Sequence, residues 1–158
     1  MTTIVVADDH KIVREGLVRL LQDREDFSVI GQAADGEEAV EVVLAKRPDV
    51  VIMDLWMPRL GGIDATRRLG KRGSSAKVVV LSMHESRSYV EEVLRAGASG
   101  YVVKASAPSD LIHAIDAVQA GASYLSPAIT QQVVAAIARP GDVSPAGVSS
   151  LTEREREV

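Results

Sequence analysis

The chain has 158 residues, 46% of them hydrophobic but only 3% aromatic, with a formal net charge of −4 at pH 7 and no cysteine. That length suits one domain of ordinary size with an appendage, built on an aliphatic core. The acidic balance argues against a chain whose main business is neutralising nucleic-acid phosphates, and the lack of cysteine excludes disulfides and thiolate metal sites.

Residues 3–7, TIVVA, read as a first buried strand. Ile12, Val13, Leu17, Leu20 and Leu21 then recur at helical spacing. Residues 27–33, FSVIGQA, read as a second strand, and Ala39, Val40, Val43 and Leu44 mark a helix that must end before Pro48. The third strand is 49–53, DVVIM, followed by a helix from about residue 60 to 71. KVVVLS (77–82) is the fourth strand, and Tyr89, Val90, Val93 and Leu94 give a helix stopped near Gly97. GYVVK (100–104) is the fifth, and Leu111, Ile112, Ile115 and Val118 give a helix ending near Gly121. Strands that are apolar without polar alternation suit a parallel sheet covered on both faces. Five β–α units with right-handed crossovers predict an α/β doubly wound, five-stranded parallel sheet.

The remainder has a different character. Residues 126–138 read as a linker helix, with Ser126 as N-cap, Pro127 in its first turn, and Ile129, Val133, Val134 and Ile137 as its apolar stripe. Residues 139–150 are rich in Pro, Gly and Ser and read as a flexible linker. The last eight, LTEREREV, open like a helix, with Thr152 and Glu155 forming a capping box. The N-terminus lacks the pattern of a signal peptide, and no stretch approaches the roughly 18 apolar residues of a membrane span, so a cytoplasmic protein with no membrane partner is expected.

The polar residues at the strand ends carry the chemistry. Asp8 and Asp9 follow the first strand, Asp54 the third, Ser82 ends the fourth, and Lys104 the fifth. In an open α/β sheet, ligands bind outside the carboxyl ends of the strands where the strand order reverses. With the order 2-1-3-4-5, three carboxylates, a hydroxyl and an ammonium converge on one crevice. Such carboxylates repel one another unless a cation sits between them, and oxygen donors favour Mg²⁺ (or Mn²⁺) over zinc. A carboxylate left over, Asp54, is placed to attack phosphorus and form an aspartyl-phosphate. The plainer alternative is that Asp8 and Asp9 simply cap the first helix. His10, His84 and His113 carry no metal spacing.

In this order and at these intervals, VVADDH, VIMDLWMPRLGG, VVVLSMH and GYVVKAS resemble the receiver domains of two-component response regulators, over about residues 2–121. YLSPAITQQVVAAIAR and LTEREREV are similar to the connecting helix and the opening of the helix-turn-helix domain of the NarL/LuxR (NarL/FixJ) type. The resemblance implies a flavodoxin-like fold with a receiver domain at 1–121, a linker helix at 122–138, a flexible linker at 139–150, and the truncated start of a LuxR-type DNA-binding domain at 151–158. It implies that Asp54 accepts a phosphoryl group from a sensor histidine kinase. Asp9 would bind Mg²⁺ directly, Asp8 largely through water, and the backbone carbonyl of Trp56 would be a further ligand. Lys104 would pair with the phosphoryl group. Ser82 would be the switch hydroxyl, drawn toward the phosphate, and Tyr101 the switch aromatic, moving inward behind it. It further implies a homodimer that reaches DNA only through the missing C-terminal domain.

Two positions depart from the common pattern. Lys104 is followed by Ala105 rather than proline, where a cis bond would cost about 2.5–4 kcal/mol. Trp56 and His84, two residues beyond Asp54 and Ser82, flank the path of a hydrolytic water, and a bulky Trp56 would slow loss of the phosphate. The alternative function is an aspartyl-nucleophile phosphatase or phosphotransferase. Haloacid-dehalogenase-like enzymes need a second acid two residues after the nucleophile, and here that position is Trp56. No turnover of an external metabolite is expected.

Overall fold

The computed structural model describes residues 1–83, 87–104, 107–127 and 130. In chain order the elements are β1 (Thr2–Ala7), α1 (Lys11–Gln22), β2 (Phe27–Ala33), α2 (Gly36–Lys46), β3 (Val50–Asp54), α3 (Gly62–Lys71), β4 (Lys77–Ser82), α4 (Arg87–Arg95), β5 (Gly100–Val103), α5 (Ala107–Gln119) and β6 (Tyr124–Leu125). The strands form one parallel sheet in the order β2-β1-β3-β4-β5-β6. The flavodoxin-like α/β fold and the 2-1-3-4-5 order are as expected.

The continuous apolar strands follow from two separate cores. Val5, Ala7, Val51, Met53, Val78, Val80, Tyr101 and Val103 face one of them, which α2, α3 and α4 cover with Ala39, Val40, Val43, Ala65, Leu69, Val90 and Val93. The alternate residues Ile4, Val6, Val50, Ile52, Val79, Leu81 and Val102 face the other, under Leu17 and Leu21 of α1 and Leu111, Ala114, Ile115 and Val118 of α5. Neighbouring side chains point to opposite faces, so a sheet buried on both sides leaves no polar alternation.

Two expectations are corrected. The sheet has a sixth strand, β6, inside the segment 122–138 assigned to the linker helix. A two-residue strand is too short for periodicity to show, and it forms because β5 would otherwise present an unpaired edge. In α1, Leu17 and Leu21 are buried, whereas Ile12 and Val13 of the same stripe are exposed in its first turn. Ser126 holds the first carbonyl of a helical turn, accepting from the Thr130 N–H at 2.9 Å. The linker helix beyond it, the flexible linker, the LTEREREV segment, His84 and the Lys104–Ala105 bond lie outside the described residues. No helix among the described residues is long and apolar enough to cross a membrane.

The loop after β3 is held by close approaches. A Cβ on Gly62 would overlap the carbonyl oxygen of Asp54, so only glycine lets α3 begin against the end of β3. Gly62→Ala is expected to destabilise the fold by about 1–3 kcal/mol through overpacking. Gly16→Ala, in open space within α1, is expected to stabilise it by roughly 0.5–1 kcal/mol. Urea denaturation of the two variants beside wild type checks both signs.

Candidate functional site

Register alone assembles the site. Ala7 pairs with Met53, so Asp8 and Asp54 continue side by side from adjacent strands. Asp54 pairs with Leu81, which puts Ser82 one step further out, and Ser82 pairs with Val103, the residue before Lys104. The Lys104 Nζ lies 3.3 Å from Asp54 Oδ1 and 3.4 Å from Asp8 Oδ2. Asp8, Asp9, His10 and Asp54 offer donor atoms that all lie within 4.8 Å of one another. Asp8 and Asp54 are buried, while Asp9 and His10 are exposed.

The acids do not cap α1. Its N-cap is His10, with no side-chain hydrogen bond to the helix. Asp8 instead accepts the His10 backbone N–H at Oδ1, 2.8 Å, and faces Lys104 with Oδ2. Both its oxygens are therefore engaged, and Asp9 is the acid that stands freest toward an incoming ion. Arg14 donates to the Asp8 carbonyl at 2.7 Å and to Gln32 Oε1 at 3.1 Å, fixing the backbone beneath the cluster.

Three carboxylates against one ammonium leave two negative charges over, the charge of one divalent cation. The strain is visible at Asp54. Burial pushes its carboxyl up and the Asp8 carboxylate pushes the same way; Lys104 opposes them, and the result is about 6. A hard, oxygen-preferring divalent ion fits this donor set. His10 contributes the one nitrogen, and its Nδ1 lies 3.2 Å from Asp9 and 3.5 Å from Asp8.

The remaining residues sit around this centre. Ser82 is fully buried, and its hydroxyl lies beside that of Tyr101. Tyr101 is itself fully buried, so the inward position expected of it after phosphorylation is already taken in this conformation. Trp56 is 54% exposed and meets Tyr89 of α4 edge to face, with 5.8 Å between ring centroids. Arg59, in the loop after Trp56, has a left-handed backbone (φ 67°) and an ion pair to Asp35 at 3.0 Å, which ties this loop to the start of α2.

Sequence reasoning missed the placement of His10, Arg14 and Arg59. His10 adjoins two acids and could have been found by adjacency. The other two act on backbone or on a distant helix and leave no local pattern.

Comparison with known proteins puts this geometry in context. The response regulator receiver domain model matches residues 4–116. The chain is 44% identical over 131 residues to the transcriptional regulatory protein DegU of Brevibacillus brevis, covering 83% of this chain and 56% of that protein. It therefore spans little more than half the length of that relative. It is 35% identical over all 158 residues to the response regulator UvrY of Escherichia coli K12, covering 72% of it. A crystal structure of a LuxR-family two-component response regulator from Aurantimonas superposes with a TM-score of 0.82 at 40% identity, covering 85% of this chain and 96% of that one.

Because the folded chain holds its Asp54 proton up to about pH 6 and an unfolded carboxylate releases it near 3.8, this group favours the folded state at low pH. That contribution is lost as pH rises through about 6. With a chelator present, Asp54→Asn is expected to be more stable than wild type by about 1–3 kcal/mol above pH 7, and the gap to close below about pH 4. Thermal denaturation across that range measures it, and Mg²⁺ should narrow the gap at neutral pH.

Proposed function

The chain belongs to the response regulator receiver family, and on that premise we propose that it is a phosphoryl-accepting switch whose nucleophile is Asp54. One observation carries the reading: the donor atoms of Asp8, Asp9 and Asp54 lie within 4.8 Å of one another, with Lys104 3.3 Å from Asp54. An Asp54 carboxylate oxygen forms a bond to phosphorus as the P–N bond of a phosphohistidine donor breaks, and the bonding pair leaves with the imidazole nitrogen. Lys104, already beside Asp54, exchanges part of its carboxylate contact for a phosphoryl oxygen. Asp8 holds Lys104 from the other side and keeps it in reach.

Asp8, Asp9, Asp54 and the Trp56 carbonyl would hold Mg²⁺ (or Mn²⁺), which supplies neutralisation of the phosphoryl charge as it transfers. Ser82 is the hydroxyl available to a third phosphoryl oxygen. Ser82 lies beside the Tyr101 hydroxyl, so drawing Ser82 toward the phosphoryl group changes the contact between the two. That change alters the packing at α4 and β5.

In this reading the partner is a sensor histidine kinase in the cytoplasm. The receiver domain (1–121) acts through the connecting segment 122–150 on a LuxR-type DNA-binding domain beginning at 151–158, and the active form is a homodimer. A haloacid-dehalogenase-like phosphatase needs an acid where the chain has Trp56, whose ring packs on Tyr89.

Incubation with Mg²⁺ and acetyl phosphate is expected to add the mass of one phosphoryl group. Asp54→Asn should abolish that gain, and a gain that persists would refute the assignment. Trp56 lies two residues after Asp54 and its ring is half-exposed, so Trp56→Ala is expected to shorten the aspartyl-phosphate lifetime roughly threefold, under about 1 kcal/mol of barrier. Loss of acid-labile phosphate over time reads it, and an unchanged half-life would remove Trp56 from this role.

A further inference from the structure

β5 is four residues long and carries Lys104 directly after its last residue. On its outer side β6 supplies only two residues, pairing Gly100 with Tyr124 and Tyr101 with Leu125. The ladder there runs from the Tyr124 N–H to the Ser99 carbonyl (3.0 Å) and from the Ser126 N–H to the Tyr101 carbonyl (2.9 Å). The next donor along β5 is the Val103 N–H. A strand that continued would meet it with the carbonyl of residue 126, but that carbonyl is turned away to accept the Thr130 N–H at 2.9 Å and begin a helical turn. The Ser126 hydroxyl takes the vacated place and accepts the Val103 N–H at 2.9 Å. Val103 is 4% exposed and Ser126 is fully buried, so water cannot make good this bond if it is lost.

Ser126 was expected to cap the helix after it with its side chain. The residue does occupy the cap position, but its hydroxyl belongs to β5. We infer that Ser126 is a positioning residue for Lys104: its side chain pins the end of β5 so that the ammonium stays over Asp54, and it ties the segment following residue 126 to the phosphoryl site. Alanine there leaves a buried N–H without an acceptor one residue before Lys104. By reciprocity, fixing Lys104 on a phosphoryl group strengthens the Val103–Ser126 bond.

The inference rests on the phosphoryl-acceptor reading, and the experiment separates the two. Phosphorylation by acetyl phosphate with Mg²⁺ is followed in wild type, Ser126→Ala, Ser126→Thr and Tyr124→Phe, the last removing the hydroxyl bonded to Asp110 but no bond to β5. Ser126→Ala is expected to lower the rate at saturating phosphodonor about tenfold, as displacement of a positioned group does. Its Mg²⁺ affinity, read from Trp56 fluorescence, should change by less than about twofold, because Lys104 does not bind the ion. Ser126→Thr should restore most of the rate, and Tyr124→Phe should match wild type. A Ser126→Ala rate equal to wild type overturns the inference alone, as does an equal slowing in Tyr124→Phe, which would mean general loosening. A wild-type chain that takes up no phosphoryl group overturns both readings. If Ser126→Ala does not fold, amide exchange at Val103 in the wild-type chain decides. Slower exchange with Mg²⁺ and beryllofluoride supports the inference, and unchanged exchange overturns it.

Discussion

Repulsion among three carboxylates is the constraint from which the rest of the molecule follows. Asp8, Asp9 and Asp54 bring donor oxygens within 4.8 Å of one another, two of the residues are buried, and one ammonium faces them. Folding must hold this arrangement against its own electrostatics: the carboxyl of Asp54 is pushed up to about 6, first by its burial and then by the Asp8 carboxylate, with Lys104 opposing both. Burial that merely packed these residues would have left them farther apart or better paired. A divalent cation held by this donor set would offset that repulsion.

A parallel sheet is well suited to holding such a cluster. Adjacent strands end at one edge, and each contributes the residue after its last apolar pair, so Asp8 and Asp54 need no loop of their own to meet. The loops that do exist are braced. Gly62 lets the Asp54 backbone pass against the start of α3, Arg59 ties the loop after Trp56 to Asp35, and Arg14 supports the Asp8 carbonyl. These braces act away from the reacting atoms, which keeps the carboxylates in place while they still repel.

Much of this was legible in the sequence because the two signals are local. Runs such as VVIM ending in Asp54 declare a strand buried on both faces and the side chain at its tip. What stayed hidden depends on pairing across the chain. Two residues, Tyr124 and Leu125, become a strand only because β5 lies beside them. The exposure of Ile12 and Val13 follows from where α1 begins, a fact that helical spacing does not contain. The Ser126 hydroxyl is the sharpest case: Ser-Pro reads as a helix start and the Ser126 carbonyl accepts the Thr130 N–H, yet the side chain is drawn off by an N–H 23 residues earlier. The hydroxyls of Ser82 and Tyr101 likewise meet through a strand pairing rather than a motif.

These hidden contacts converge on β5. Tyr101 meets Ser82, Val103 meets Ser126, and Lys104 meets both Asp8 and Asp54, so a four-residue strand touches the end of β4, the acidic pocket and the start of the segment after β6. On its outer side it is flanked by the two residues of β6. A charge placed on Asp54 is felt first by Lys104, whose backbone continues directly into the end of β5. Through the Val103–Ser126 hydrogen bond, that end also meets the residue whose carbonyl opens the next helical turn.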